Sequence, residues 1–259
     1  CLVIVPDPSC FRGHSVFADS ATNGPRGRAL IDELIPHVEQ RFHGAKSGTR
    51  RFVSGMSSGG WSSLWLQVEY PEAFNGCWSH CPDPVDFRDF QRINLYALDA
   101  NMYKDPAGAR RPIARRGDTP LLWFDDFVAQ ETAMGPGGQI HSFEAVFSPR
   151  NLAGDPVLLF DRATGKVDPA VARAWEPFDI RLKLEREWSS RGPKLAGKIV
   201  VYAGEVDTFL LEGAAKLLKD ALAGLNSDAQ VVIVPGMAHD IHRPGLDAMF
   251  RAIAERTGN

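Results

Sequence analysis

The chain has 259 residues, 44% hydrophobic and 24% charged, enough apolar material for one large domain with a well-buried core. Its formal net charge is −3, with acidic and basic residues interspersed. Neither a basic face for nucleic acid nor a cationic membrane-surface helix is therefore expected, and the expected partner is a small molecule. No run approaches the roughly 18 to 20 apolar residues of a membrane span, and the first residues lack the basic, apolar and small-residue order of a signal peptide.

Residues 2–5, Leu2-Val3-Ile4-Val5, form a continuous apolar run closed by Pro6-Asp7-Pro8 and are expected to be a strand buried on both faces. Because the chain opens on this run with Cys1 rather than Met, upstream sequence is expected to be missing. After a polar loop, Leu30, Leu34 and Val38, flanked by Ile31, Ile35 and Phe42, lay an apolar stripe on a helix over 27–42 that Pro36 should kink. Residues 51–54 read as a short strand, 55–60 as a tight glycine turn and 61–70 as a helix stopped by Pro71. A further strand is expected over 74–79.

From 84 to about 195 the alternation gives way to Pro, Gly, Arg and aromatic residues in irregular order, with helical patches over 121–132 and 168–188. A stretch that long is expected to be a cap inserted over the sheet. Residues 198–203 (KIVVYA) resume as a strand, Leu211, Ala214, Leu218, Leu222 and Leu225 recur at helical spacing, and 230–234 form another strand. Leu246, Met249, Phe250 and Ile253 mark a last helix from Pro244. Strand and helix alternating at both ends predict an α/β fold, a mainly parallel sheet flanked by helices, in one domain carrying the 84–195 insertion.

Chemistry concentrates in Gly55-Met56-Ser57-Ser58-Gly59, a G-x-S-x-G match with a strand before it and a helix after it. The flanking glycines let strand and helix approach around a strained backbone, and Gly60 gives the helix room against the sheet. Ser57 Oγ is then exposed at a helix N-terminus, where an oxyanion is favoured and the Ser58 N–H is one donor. A serine hydroxyl needs a base, and the base an orienting acid, in the chain order Ser, acid, His. His239 follows the strand over 230–234, as the base should; His242, with Asp240, leaves an H-x-x-H metal site as an alternative. Asp207 and Glu205 follow KIVVYA, with Asp207 favoured because it can point back past Gly204; Asp83 and Asp86, after the preceding strand, are further candidates for the acid.

Other residues receive plainer expectations. Cys1, Cys10, Cys77 and Cys81 are too few and too uneven for a disulfide framework, and Cys77 and Cys81 are expected to be buried thiols, not zinc ligands. His37, His43 and His242 are expected at the surface, His141 within the cap, and His14 and His80 in structural roles near strand ends. The six tryptophans are expected in packing, with Trp61, beside the elbow, touching substrate.

Phe17-Ala18-Asp19-Ser20 with Gly24-Pro25, Glu33-Leu34-Ile35-Pro36, and Gly55 through Gly60 resemble the bacterial "putative esterase" family, which includes esterase D, feruloyl esterases and the mycolyltransferases. Gly204 through Asp207-Thr208-Phe209, and Pro235-Gly236 leading to His239, look like that family's acid and histidine loops. The resemblance implies the α/β-hydrolase fold, a triad of Ser57, Asp207 and His239, ester cleavage through an acyl-enzyme, and neither metal nor cofactor. Acyl transfer with the same triad, or a silent binding module, are the alternatives. Family members also have an earlier strand ending in a His-Gly-type loop that supplies a second oxyanion N–H. That alignment leaves this chain without the first strands of the sheet and without that donor; the opposite reading places a donor within residues 9–13.

Overall fold

The computed structural model describes residues 2–258; Cys1 and Asn259 lie outside the described residues. The first long helix, α1 (residues 26–41), carries the predicted apolar stripe, with Leu30 and Ile35 buried. Pro36 has no N–H to donate to the carbonyl four residues back, and its ring crowds that carbonyl. The irregularity expected there takes the form of one π-helical turn, Leu30–Leu34, immediately before the proline. Next, β1 (Val53–Met56) runs through Ser57 into α2 (Ser58–Glu69), which ends at Tyr70 because Pro71 disfavours helical backbone in the residue before it.

After β2 (Cys77–His80) the chain leaves the sheet for more than a hundred residues. That segment holds an antiparallel hairpin, Pro112–Arg116 with Thr119–Trp123, and four helices: α3 (Phe124–Met134), α4 (Gln139–Phe147), α5 (Pro169–Ala174) and α6 (Ile180–Leu195). It returns through β3 (Ile199–Gly204), α7 (Glu212–Gly224), β4 (Gln230–Val234) and α8 (Arg243–Thr257).

The sheet order is β4-β3-β2-β1, every pair parallel, with Met56 beside His80, His80 beside Tyr202, and Gly204 beside Val234. This register brings the carboxyl ends of the four strands level, so the loops leaving β1, β2, β3 and β4 open at one rim. The segment between β2 and β3 shares a single apolar core with the sheet and α2. Trp61 stacks on Trp65 at 5.2 Å, and Phe147 of α4 lies 5.3 Å from Trp61 and 5.1 Å from Trp175. Truncating rings so buried costs about 3–5 kcal/mol each. This aromatic block therefore fixes how the inserted segment sits on the elbow helix.

The same segment is anchored by buried charge. Arg181 of α6 donates to both carboxylate oxygens of Asp86 (3.0 and 3.2 Å) and lies 3.6 Å from Asp179. Asp86 and Asp179 are completely buried, and Asp179 also caps α6 and accepts the Tyr96 hydroxyl. Asp86, one candidate for the acid of the triad, is therefore committed to holding α6. Removing Arg181 leaves buried Asp179 without its ion pair and Asp86 with Arg88 alone. Arg181→Met is expected to lower unfolding free energy by about 3–5 kcal/mol in urea titration; an unchanged midpoint would contradict this role.

Three expectations are corrected. Residues 2–5 are not a strand: Val3 and Val5 are 75% and 89% exposed, because an apolar run forms a strand only where a neighbour completes the hydrogen-bond ladder, and none of the described segments does so. The patch over 121–132 opens as strand: the hairpin continues to Trp123 and the helix begins at Phe124. Helix α4 arises in sequence expected to be irregular, from Ile140, Phe143 and Phe147 packed into the common core. Strands β1 and β2 also begin two and three residues later than the sequence pattern suggests.

Candidate active site

The turn between β1 and α2 is strained as the elbow pattern demands. Ser57 has φ 57° and ψ −123°, a region that side chains rarely adopt, held by Ser57 N–H to His80 O (3.0 Å) and Asp83 N–H to Ser57 O (3.2 Å). A Cβ on Gly55 would lie 2.2 Å from the Gly59 carbonyl oxygen, and one on Gly60 2.7 Å from the His80 carbonyl oxygen, so both must be glycine. Gly59 differs from expectation: its own Cβ would meet open space, and its part is to bring its backbone against Gly55. Ser58 is the first residue of α2, where the N–H has no partner within the helix.

The loops after β3 and β4 bring Asp207 and His239 together. Asp207 is fully buried and its Oδ2 lies 2.9 Å from His239 Nδ1, while Oδ1 accepts the Phe209 N–H at 2.8 Å. The edge of the Phe209 ring meets the imidazole at 4.8 Å and 88°. Burial alone would lower the proton affinity of His239; its hydrogen bonds to Asp207 and to the Cys81 thiol outweigh that and raise its pKa to about 9. Glu205, the neighbouring candidate, is exposed and accepts the Gly236 N–H (3.0 Å), which ties the two loops to each other.

Ser57 belongs to a second cluster at the same rim. Its hydroxyl donates to Asp83 Oδ1 at 3.4 Å; among the described residues no hydrogen bond joins it to His239. Asp83 also accepts the Ser58 hydroxyl (2.6 Å) and Gln139 Nε2 (3.2 Å). Burial raises the Asp83 pKa, opposed first by the Ser58 hydroxyl and then by the charges of His14 and His239. The sequence offers Asp83 only as a rival to Asp207. Sequence could place it after β2, but Gln139 and His14 come from 56 and 69 residues away along the chain, and no local pattern announces them.

His37 and His43 are exposed as predicted, whereas His242 is half-buried with its ring 4.7 Å from Tyr202. His80 is buried, stacked on Tyr202 at 5.2 Å, and burial followed by repulsion from His242 lowers its pKa to about 4. Cys77 and Cys81 are buried, and burial pushes the Cys77 thiol up to about 12. Trp61 is only 1% exposed within the aromatic block, so packing replaces the expected contact with substrate. Residues 9–13 lie against α4, with Ser142 Oγ donating to the Arg12 carbonyl (3.3 Å).

Cys81, Asp207 and His239 offer possible metal-ligand atoms within 4.8 Å of one another. Two ligands of tetrahedral zinc stand about 3.3–3.5 Å apart, given metal–ligand bonds near 2.0–2.1 Å. The Asp207 and His239 atoms are 2.9 Å apart, a hydrogen-bond distance. Asp207 and His239 are thus spaced as a hydrogen-bonded pair, beside a serine at a helix N-terminus.

The segment between β2 and β3 also reaches the acid loop. Arg115 of the hairpin donates to the Asp207 carbonyl oxygen (3.2 Å) and to buried Glu212 (2.6 Å), and its N–H bonds the Thr208 carbonyl oxygen (2.8 Å). Glu212 pairs with Arg92 as well. Arg115→Ala is expected to lower ester turnover by about tenfold, because small misplacements of a reacting group carry costs of that size or more. Measured kcat equal to that of the unaltered chain would show the acid loop to be independent of the hairpin.

No curated protein matches the chain. Among solved structures, FphF, a fluorophosphonate-binding serine hydrolase of Staphylococcus aureus, superposes with TM-score 0.51 at 14% identity, covering 93% of this chain and 67% of its own. A ferulic acid esterase (TM-score 0.48, 12% identity, 95% and 67% coverage) and the S-formylglutathione hydrolase of Agrobacterium tumefaciens (0.49, 15%, 94% and 63%) are also similar. The chain spans about two thirds of the length of these proteins. The model of the family described as "Putative esterase" matches residues 21–168, more than half of the chain and inclusive of the elbow. The chain belongs to this "putative esterase" family, and its fold is similar to that of FphF.

Proposed function

We propose that the chain hydrolyses carboxylic esters of small molecules through an acyl-enzyme on Ser57, with His239 as general base and then general acid, and Asp207 orienting the imidazole. The observation that carries this reading is the 2.9 Å pairing of buried Asp207 with His239 Nδ1, at the rim where Ser57 occupies its strained turn. The pairing leaves Nε2 as the atom to take a proton from Ser57 Oγ. Ser57 must first leave Asp83 and rotate toward Nε2, a rearrangement compatible with the loose hydrogen bonds of unliganded active sites. Attack on the ester carbonyl forms a tetrahedral oxyanion; the Ser58 N–H and the positive end of α2 favour it. The alcohol leaves with the proton from His239, and a water deprotonated by His239 releases the acid.

The chemistry requires no cofactor. No described helix is long and apolar enough to cross a membrane, and substrate is read as a small molecule. Exposed Val206, Phe209 and Ile241 flank the triad in sequence and give the rim an apolar side suited to the organic part of an ester. The direct test is a fluorophosphonate probe followed by peptide mass spectrometry. One adduct on Ser57, competed by a turned-over p-nitrophenyl ester, is expected; a folded chain that takes no label sinks the reading.

A further inference from the structure

Asp83 is a buried carboxylate beside the nucleophile that the triad mechanism does not employ. Among the described residues its side chain makes no ion pair, and the three polar side chains bonded to it all donate to it: Ser58 Oγ (2.6 Å), Gln139 Nε2 (3.2 Å) and Ser57 Oγ (3.4 Å). Gln139 Nε2 also donates to Ser58 Oγ at 3.0 Å, so the one Ser58 proton is left for Asp83. The carbonyl oxygen of the same amide lies 3.1 Å from His14 Nε2, which fixes the amide with its NH2 toward the elbow. The Asp83 N–H bonds the Ser57 carbonyl oxygen, fastening both ends of the residue to the same turn.

The distances separate two functions. At 2.6 Å the Ser58 bond has the length of a strong hydroxyl–carboxylate hydrogen bond, whereas 3.4 Å is near the limit for any hydrogen bond. Ser58 is therefore held firmly and Ser57 only loosely. We propose that Asp83 is a positioning residue of the elbow: it clamps the Ser58 hydroxyl, and with it the first turn of α2 that presents the oxyanion donor, while parking the Ser57 hydroxyl in a resting orientation. Gln139 extends the clamp into α4, and His14 extends it to the short antiparallel pair of Ser9–Cys10 with Gly13–His14, so the inserted segment, through Gln139, helps set the geometry of the nucleophile. On the ester-hydrolysis reading, on which this rests, substrate approach breaks the weak Ser57–Asp83 bond and makes the Ser57–His239 bond, while the Ser58–Asp83 bond stays intact.

Burial raises the Asp83 pKa, but with three side-chain donors turned to it the group is arranged as an acceptor, which favours the carboxylate form. His14 and His239 are the titratable side chains of opposite sign facing Asp83. His239 is faced by Asp207 and Cys81 as well. An anion at Asp83 favours the imidazolium of His239, so replacing the carboxylate by an amide of the same shape must ease deprotonation of His239. A residue acting only as packing would not have this effect.

The test uses the full chain, with ester kcat and KM measured against pH for Asp83→Asn and Ser58→Ala, and thermal melts to confirm folding. For Asp83→Asn, kcat on the alkaline plateau is expected to fall about tenfold with KM within about twofold, because oxyanion positioning acts on the transition state. The acid limb of its profile should move to lower pH. Ser58→Ala, which keeps the backbone N–H and the Asp83 charge, should lower plateau kcat several-fold with the limb unmoved. Unchanged plateau kcat in folded Asp83→Asn overturns the proposal, as does a fall with an unmoved limb. Should Asp83→Asn fail to fold, unchanged kcat in Ser58→Ala overturns it instead. Fluorophosphonate labelling of the unaltered chain separates the two levels: no label sinks ester hydrolysis itself, whereas normal label with indifferent variants sinks only the role of Asp83.

Discussion

Ser57→Ala is expected to lower kcat/KM for a p-nitrophenyl ester by about 10⁴- to 10⁶-fold and to abolish the fluorophosphonate adduct, with the melting curve nearly unchanged. The magnitude follows from losing the covalent route: without the nucleophile, only binding and oxyanion stabilisation remain, and these leave a residual rate about 10³–10⁴ above water. The fold should tolerate the change because alanine keeps the Cβ in the same strained turn, which hydrogen bonds at Ser57 N–H and Asp83 N–H maintain. The informative failure is transfer of label to Ser58, the adjacent hydroxyl. Ser58 Oγ is already committed to Asp83 at 2.6 Å, so that outcome would mean the elbow had been assigned one residue too early.

Legibility of the site followed how local its causes are. Ser57 was readable because Gly55 and Gly60 are demanded by backbone contacts within a few residues or across one neighbouring strand, and such demands leave glycines in the sequence. Asp207 and His239 were readable from their places after KIVVYA and after residues 230–234, since parallel strands deliver their following loops to one rim. The partner of Ser57 in the resting structure was not readable. Asp83 is held in part by Gln139, which sits at the start of a helix whose apolar face packs on Trp61, Phe87, Phe90 and Trp175, residues distant in sequence, in a shared core.

The same distinction explains the fold errors. Leu2 to Val5 carry the composition of a buried strand, but a ladder is a property of two segments and composition belongs to one. Trp61 adjoins Ser57 in sequence and was expected to face substrate. One turn into α2, its ring is buried against Trp65 and Phe147.

Asp207→Asn is expected to change both the height and the shape of the pH–rate profile. The base of the mechanism is neutral His239, and its pKa near 9 in the folded chain means that about 1% of the enzyme is in the active form at pH 7. For the unaltered chain kcat/KM should therefore climb about tenfold per pH unit through neutrality and level off above 9. The stability linkage runs in the same sense: the imidazolium–Asp207 pairing contributes fully below the ordinary histidine pKa of 6.5 and is lost as pH rises through about 9. Asparagine keeps the shape but removes the charge, so the limb should fall toward 6.5, while misorientation and the wrong tautomer cut the plateau by about 10⁴-fold. The two effects oppose each other below the plateau. A loss of about 10⁴-fold at pH 10 should shrink toward about 10²-fold at pH 7, where the variant is largely neutral and the unaltered chain largely protonated. A loss that is constant across this range, with the limb still near 9, would assign the elevated pKa of His239 to Cys81 instead and leave Asp207 as a purely orienting group.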